Sequence, residues 1–394
     1  MLFARHFNTP FNQCYYLNHL LIYLMKKTCI YTLCLCLFTT LLVQAQLTTA
    51  PDGDNKKASV SEQIGIAKVT VDYSRPGVRG REGKIWNTPI AHYGLTDIGF
   101  GTSTAAPWRA GANENTTITF SHDVKVEGKA LAAGTYGLHM ILGENDNTLI
   151  FSKVANSWGS FYYDPAEDVL RVNVKSQPLD KSVEWLKYEF INQTQNSATI
   201  ALEWEKRMIP FKVEVDVHKI QIASFRSELR TKPGFKWESF VQAANYCLQN
   251  NIELDQALIW ANEAITARFV GQKNFQTLST KAAVLVRMNK MAEAKVLMDE
   301  AIPMGDMNEL HQYGRTLLGM KQSQDALKVF KVNYDKNPNV FTTNVGLARA
   351  YSATGDFKKA TEYMKAALPQ APNPLNKNHV ESMIKKLEEG KDVN

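Results

Sequence analysis

Cysteine is almost missing from the body of this 394-residue chain: of five, Cys14, Cys29, Cys34 and Cys36 fall in the first 45 residues and only Cys247 follows. A single cysteine can form neither an internal disulfide nor a thiolate metal cage, and its expected place is inside a helix. The standard catalytic signatures are missing as well. After residue 45 there is no Gly-x-Ser-x-Gly, His-Glu-x-x-His, P-loop or Cys-x-x-Cys. Gly99-Phe100-Gly101 lacks the third glycine of a dinucleotide fingerprint, because position 104 is Thr, and reads as a flexible loop. A strong charge of one sign is also absent. Setting aside Arg5, Lys26 and Lys27 reduces the 45 basic residues to 42, against 39 acidic ones. So balanced a chain gives no argument for nucleic acid. The composition is 44% hydrophobic and 10% aromatic, too apolar for disorder, and the length allows two or three domains.

The first 45 residues hold no Asp or Glu. Lys26-Lys27 precedes an apolar run from Cys29 to Val43 that ends in Val43-Gln44-Ala45. That order is the charged region, apolar region and small-residue site of a secretory signal. We read residues 1–24 as an upstream extension ahead of a start at Met25, 25–45 as the signal, and 46–57 as a flexible leader. An uncleaved anchor is the alternative, and the only membrane contact the sequence suggests. The expected location is outside the inner membrane of a Gram-negative bacterium, in the periplasm or envelope.

From Ala58 to Val217 the apolar residues recur with a period of two, as strands require. Val69, Val71 and Tyr73 alternate in one strand; Val124–Leu131 reads as a hairpin; Leu170, Val172 and Val174 alternate in another strand. About nine short strands predict a β-sandwich or jelly-roll over 58–217. Beyond Val217 the period becomes helical, with a linker helix in 218–234 stopped by Pro233-Gly234. Over 235–394 small residues recur: Ala257 with Ala264, Ala294 with Ala301, and Ala326 with Ala360, 34 positions apart. Pro338 and Pro372 share that interval of 34. The segment resembles tetratricopeptide repeats, with a final helix at Asn376–Glu389 as a cap. The fold class is therefore an all-β sandwich domain followed by an all-α helical-repeat domain.

Two arginine-bearing stretches are candidate binding segments. One is Tyr73–Arg81, with Arg75, Arg79 and Arg81 in a Gly/Pro-rich loop; the other is Trp108–Phe120, with Arg109, Asn113 and Glu114. Planar guanidinium groups suit carboxylate, phosphate or sulfate, to which they donate paired hydrogen bonds. Alternatively the arginines pin loops, through Glu82 or Glu114 for the first stretch and an Arg109–Glu114 ion pair for the second. Trp158-Gly-Ser-Phe-Tyr162-Tyr-Asp164 could offer ring faces to a sugar or peptide, or cap the sandwich. His92, His122 and His139 are spaced without metal-motif value, and neither metal nor cofactor is assigned.

Four motifs in order, Tyr73-Ser-Arg-Pro…Arg79-Gly-Arg81…Ile85-Trp86, Trp108-Arg-Ala-Gly-Ala-Asn-Glu-Asn-Thr-Thr, Ala133-Gly-Thr-Tyr-Gly and Trp158-Gly-x-Phe-x-Tyr-Asp, carry a family resemblance. They make Ala58–Val217 similar to secreted Bacteroidota proteins of the domain-of-unknown-function 2911 family. Its central motif usually reads Trp-Arg-Thr-Gly-Ala-Asn-Glu-Ala-Thr. Here Ala110 and Asn115 depart from it, and polar contacts from those positions are not carried over. The resemblance implies an exported β domain, often followed by helical repeats, and assigns no activity. The leading reading is a non-enzymatic binding protein. Its β domain would hold a small molecule, glycan or other partner, and its repeats a protein. Two alternatives stay open: a glycan or ester hydrolase with Glu114 or Asp164 as its general acid/base, and an envelope scaffold without a ligand.

Overall fold

The structure, a computed structural model, describes residues 50–394. The expected extension, the signal and the first leader residues 46–49 lie outside the described residues. Two antiparallel sheets form the first domain. The larger runs in the order β1 (Lys56–Ile64), β2 (Ala67–Arg75), β3 (Thr116–Phe120), β6 (Gly134–Ile141), β7 (Asp146–Ser152) and β8 (Asp168–Lys175). The smaller runs β5 (Lys129–Leu131), β4 (Val124–Val126), β10 (Ser197–Glu214) and β9 (Gln177–Ile191). Their inward residues make one core: Val71, Ile118, Leu138 and Phe151 from one sheet pack with Leu186, Leu202 and Phe211 from the other. Phe151 meets Phe211 edge to face at 6.2 Å between the sheets. Burying each such side chain stabilises by roughly 1.5–3 kcal/mol, which is why the period-two pattern dictates this layer.

Among the described residues the strand count is ten, and two details differ from the sequence reading. The leader does not run to 57: Asp52–Asp54 forms a 3-10 turn, and β1 starts at Lys56 and pairs with β2 along its whole length. Its alternation is hard to see because β1 is mostly polar on a half-exposed edge. The second difference is β10, a single strand of 18 residues. Its inward set switches from even positions (Ile200, Leu202, Trp204) to odd ones (Ile209, Phe211, Val213). A β-bulge at Glu205, with φ of 52° and a register shift on either side, makes the switch.

Ten helices follow among the described residues. α1 (Val217–Glu228) puts Val217 and Ile220 into the β core, while Ile222 and Phe225 pack among the helices beyond. Hairpins then pair α2 (Trp237–Asn250) with α3 (Leu254–Thr266), α4 (Phe275–Arg287) with α5 (Met291–Ala301), α6 (Met307–Gly319) with α7 (Ser323–Lys336), and α8 (Phe341–Ala353) with α9 (Phe357–Ala367). α10 (Pro374–Glu388) closes the tetratricopeptide-like stack. Ala257, Ala294, Ala326 and Ala360 all sit buried near the start of the second helix of a hairpin, where a larger side chain would hold the two helices apart. Cys247 is buried in α2.

Candidate functional site

The β2–β3 connection crosses one end of the sandwich and carries most of the candidate residues. It is docked by Trp108, whose N–H donates to the Met140 carbonyl at 2.9 Å and whose carbonyl accepts from the Met140 N–H at 2.8 Å. Ala110 follows with φ of 52°, a left-handed conformation that costs an alanine about 1 kcal/mol or more. Its carbonyl accepts from the Tyr188 hydroxyl at 2.9 Å and the Thr116 hydroxyl at 3.0 Å, which hold the strained turn. Arg109 lies between these two fixed neighbours. The guanidinium rests over the Phe161 ring at 4.7 Å and donates from Nη1 to the Asn113 carbonyl at 2.8 Å. Gly159, at φ of 67°, makes room for it: a Cβ there would lie 2.3 Å from Arg109 Cζ.

Arg109 faces a cleft of about 490 Å³. Arg79, Arg81 and His92 also line it, with Trp108, Phe161 and Trp204 among the apolar walls, and no Asp or Glu is among the lining residues. Two buried nitrogens at this site, Trp204 Nε1 and His92 Nδ1, have no hydrogen-bond partner. Burial lowers the Arg109 pKa, and an arginine stays charged even so. Burial also lowers the His92 pKa; a backbone hydrogen bond at Gly94 opposes this, and the Arg109 charge adds to it. His139, on β6 behind the cleft, is held down to about 4 by burial and then by Arg109. It is neutral at pH 7, its Nδ1 2.9 Å from the hydroxyl of the lining residue Ser160.

The sequence-derived candidates divide between this cleft and other places. Arg79 lines it and pairs with Asp54 at 3.1 Å; Arg81 lines it and donates back to the Gly77 and Val78 carbonyls of its own loop. Asn113 lines it and ties down the leader, donating to the Asp52 carbonyl at 3.0 Å and accepting from Asn55 at 3.2 Å. Arg75 does not line it; it donates to the Leu186 carbonyl at 2.8 Å and anchors β2 to β9.

The expected Arg109–Glu114 ion pair is not formed. Glu114 points to a separate depression, where it meets Lys57 at 2.6 Å and accepts from Ser74 at 3.3 Å. Burial pushes its pKa up, but the bonds and charge of Lys57 outweigh that and hold it below the usual carboxylate range. The reason is the added strand: β1 brings Lys57 nearer than any arginine. Neither Glu82 nor Glu114 pins the first arginine loop; Asp54, Glu184 and backbone carbonyls do. Asp164 caps the turn Pro165–Glu167, accepting from the Ala166 N–H at 2.9 Å. Neither Glu114 nor Asp164, the alternative acid/base candidates, therefore lines the cleft. Trp158 and Tyr162 stand exposed near it and do not line it. Asn115, at a position where no contact was carried over, donates to the Val154 carbonyl at 3.3 Å.

Sequence reasoning missed Trp204, Ser160 and the role of His92. Trp204 reads only as one more inward strand residue, and residues 87–107, which bring His92 into the wall, have no periodicity to place them. The described residues hold no cluster of His, Cys, Asp and Glu able to ligate a metal ion.

The β domain matches DUF2911. The family, described as protein of unknown function, aligns with residues 55–213, a span that includes every cleft-lining arginine. The matched β domain is followed by helices similar to solved repeat proteins. YrrB, described as a TPR protein with an unusual peptide-binding site, is 17% identical over 42% of this chain and 84% of its own, with a TM-score of 0.29. MamA from Desulfovibrio magneticus RS-1 is 18% identical over 39% and 90%, TM-score 0.28. A thermophilic TPR protein in Thermus thermophilus, TTC0263, is 14% identical over 42% and 88%, TM-score 0.29. No curated protein matches.

Proposed function

We propose that the protein is a non-enzymatic binding protein whose DUF2911 domain holds an anionic small molecule and whose helical repeats dock a protein partner. The observation that carries the first half is the state of Arg109. Mostly withdrawn from water, it uses one hydrogen bond to the protein and has no carboxylate partner among the described residues. Arg207 in the same domain shows what a structural arginine looks like. It is buried and satisfied by Ser176, Tyr93, Gly143 and Asn147 at 2.6–3.0 Å. A half-buried cation with most of its donors turned to an open cleft is placed to take an acceptor from a ligand. The second half rests on the stacked hairpins, whose repeated geometry builds an extended surface suited to a protein. The apolar run from Cys29 to Val43 supports export into the envelope as the setting.

A thermal-shift screen of the full chain against sulfate, phosphate and small carboxylates tests the ligand reading. Saturating anion should raise the Tm of the wild type, since a ligand at 100 times its Kd stabilises by about 2.7 kcal/mol. Arg109→Gln should fold with a similar unliganded Tm and lose the response. If every anion leaves the wild-type Tm unmoved, the reading fails.

A further inference from the structure

We infer that the anion bound in this cleft belongs to an acidic saccharide, a class the observations favour over an acidic peptide; this rests on the anion-binding reading above. A row of rings leads outward from Arg109. Its guanidinium covers Phe161; Phe100 meets Phe161 edge-on at 5.2 Å, and Tyr162 stands 6.2 Å from Phe100. Phe100 is 64% exposed and Tyr162 52% exposed. Exposed rings grouped beside a cleft form an apolar patch that a ligand can cover.

The platform is built rather than loose. The Thr102 and Ser103 N–H groups both donate to the Phe161 carbonyl, at 3.1 and 3.0 Å, joining the two loops that carry the rings. Gly101 permits the approach, because a Cβ there would fall 2.1 Å from that carbonyl oxygen. An extended peptide needs open backbone groups to pair with, and here the loops pair with each other. They leave the Phe100 and Tyr162 rings, set at 80° to each other, exposed, and the C–H face of a pyranose can stack on either. A carboxylate on such a sugar would enter the cleft toward Arg109, where the Trp204 N–H has no partner. Aromatic faces outside and donors inside fit a uronic sugar.

Calorimetry on the full chain with four probes tests this: a trisaccharide of hexuronic acids, the matching neutral trisaccharide, inorganic sulfate and triglutamate. The uronate should bind about tenfold or more tighter than each of the others, and Phe100→Ala with Tyr162→Ala should weaken it by about tenfold while sulfate stays within about twofold. Both rings are exposed, so the double variant should fold. Triglutamate or the neutral sugar binding as well as the uronate would overturn the inference and leave the anion site standing. So would a double variant with unchanged uronate affinity. If sulfate binds and the uronate does not, the saccharide is likewise excluded. If none of the four binds, the anion-binding reading itself falls, and this inference with it.

Discussion

His139, behind the cleft, feels the charge of Arg109 in the cleft wall, and its burial there gives the protein a pH dependence. His139 is buried, and its pKa falls from 6.5 to about 4, first through burial and then through Arg109. The unfolded chain therefore binds more protons than the folded one below pH 6.5. The stability from keeping this ring neutral is complete above 6.5 and drains away as the pH falls toward 4, by roughly 3 kcal/mol. Chemical denaturation at pH 7 and pH 4.5 should show that loss in the wild type and a much flatter response in His139→Gln. An equal slope in both would remove His139 as the cause. Gly159 makes a second prediction at this scale. A methyl group there collides with the Arg109 guanidinium and sits at positive φ, so Gly159→Ala should cost about 1 kcal/mol of stability. It should also abolish anion binding, which a titration would show.

At the scale of elements, the packing of α6, α7 and α8 turns on one ring. Phe330 on α7 is fully buried, and a Cβ on Gly314 of α6 or Gly346 of α8 would come within 2.5 Å of it. Gly346→Ala should destabilise the repeats by about 1–3 kcal/mol through overpacking, seen as a lower helical melting transition with anion binding kept. The same elements show what a linear pattern reveals. The alanines at seven-residue steps were legible because close helix approach admits only small side chains, and the strands because burial alternates. The Glu205 bulge was half legible: the phase of the apolar residues changes between Trp204 and Ile209, and one continuous strand requires an extra residue there. β1 was hidden because an edge strand buries little. Arg109 and Phe161 were legible as candidates by residue type, but their contact was not, since it joins two loops without a period. The Lys57–Glu114 pair depended on the unseen strand.

Across the whole molecule, charge is nearly balanced beyond residue 45, whereas the cleft collects three arginines and a histidine with no carboxylate on its walls. Attraction to an anion therefore comes from a local field, which salt screens over a Debye length of about 8–10 Å. α1 joins the two halves, giving Val217 and Ile220 to the β core and Ile222 to the helices. Among the described residues no helix is long and apolar enough to cross a membrane. The central claim is that Arg109 is a cation held ready for an anion from outside the chain. A calorimetric titration of sulfate into the wild type and Arg109→Gln at low ionic strength tests it most directly. The wild type should bind saturably, and the variant about tenfold or more weaker. Equal affinity in the two proteins would contradict it.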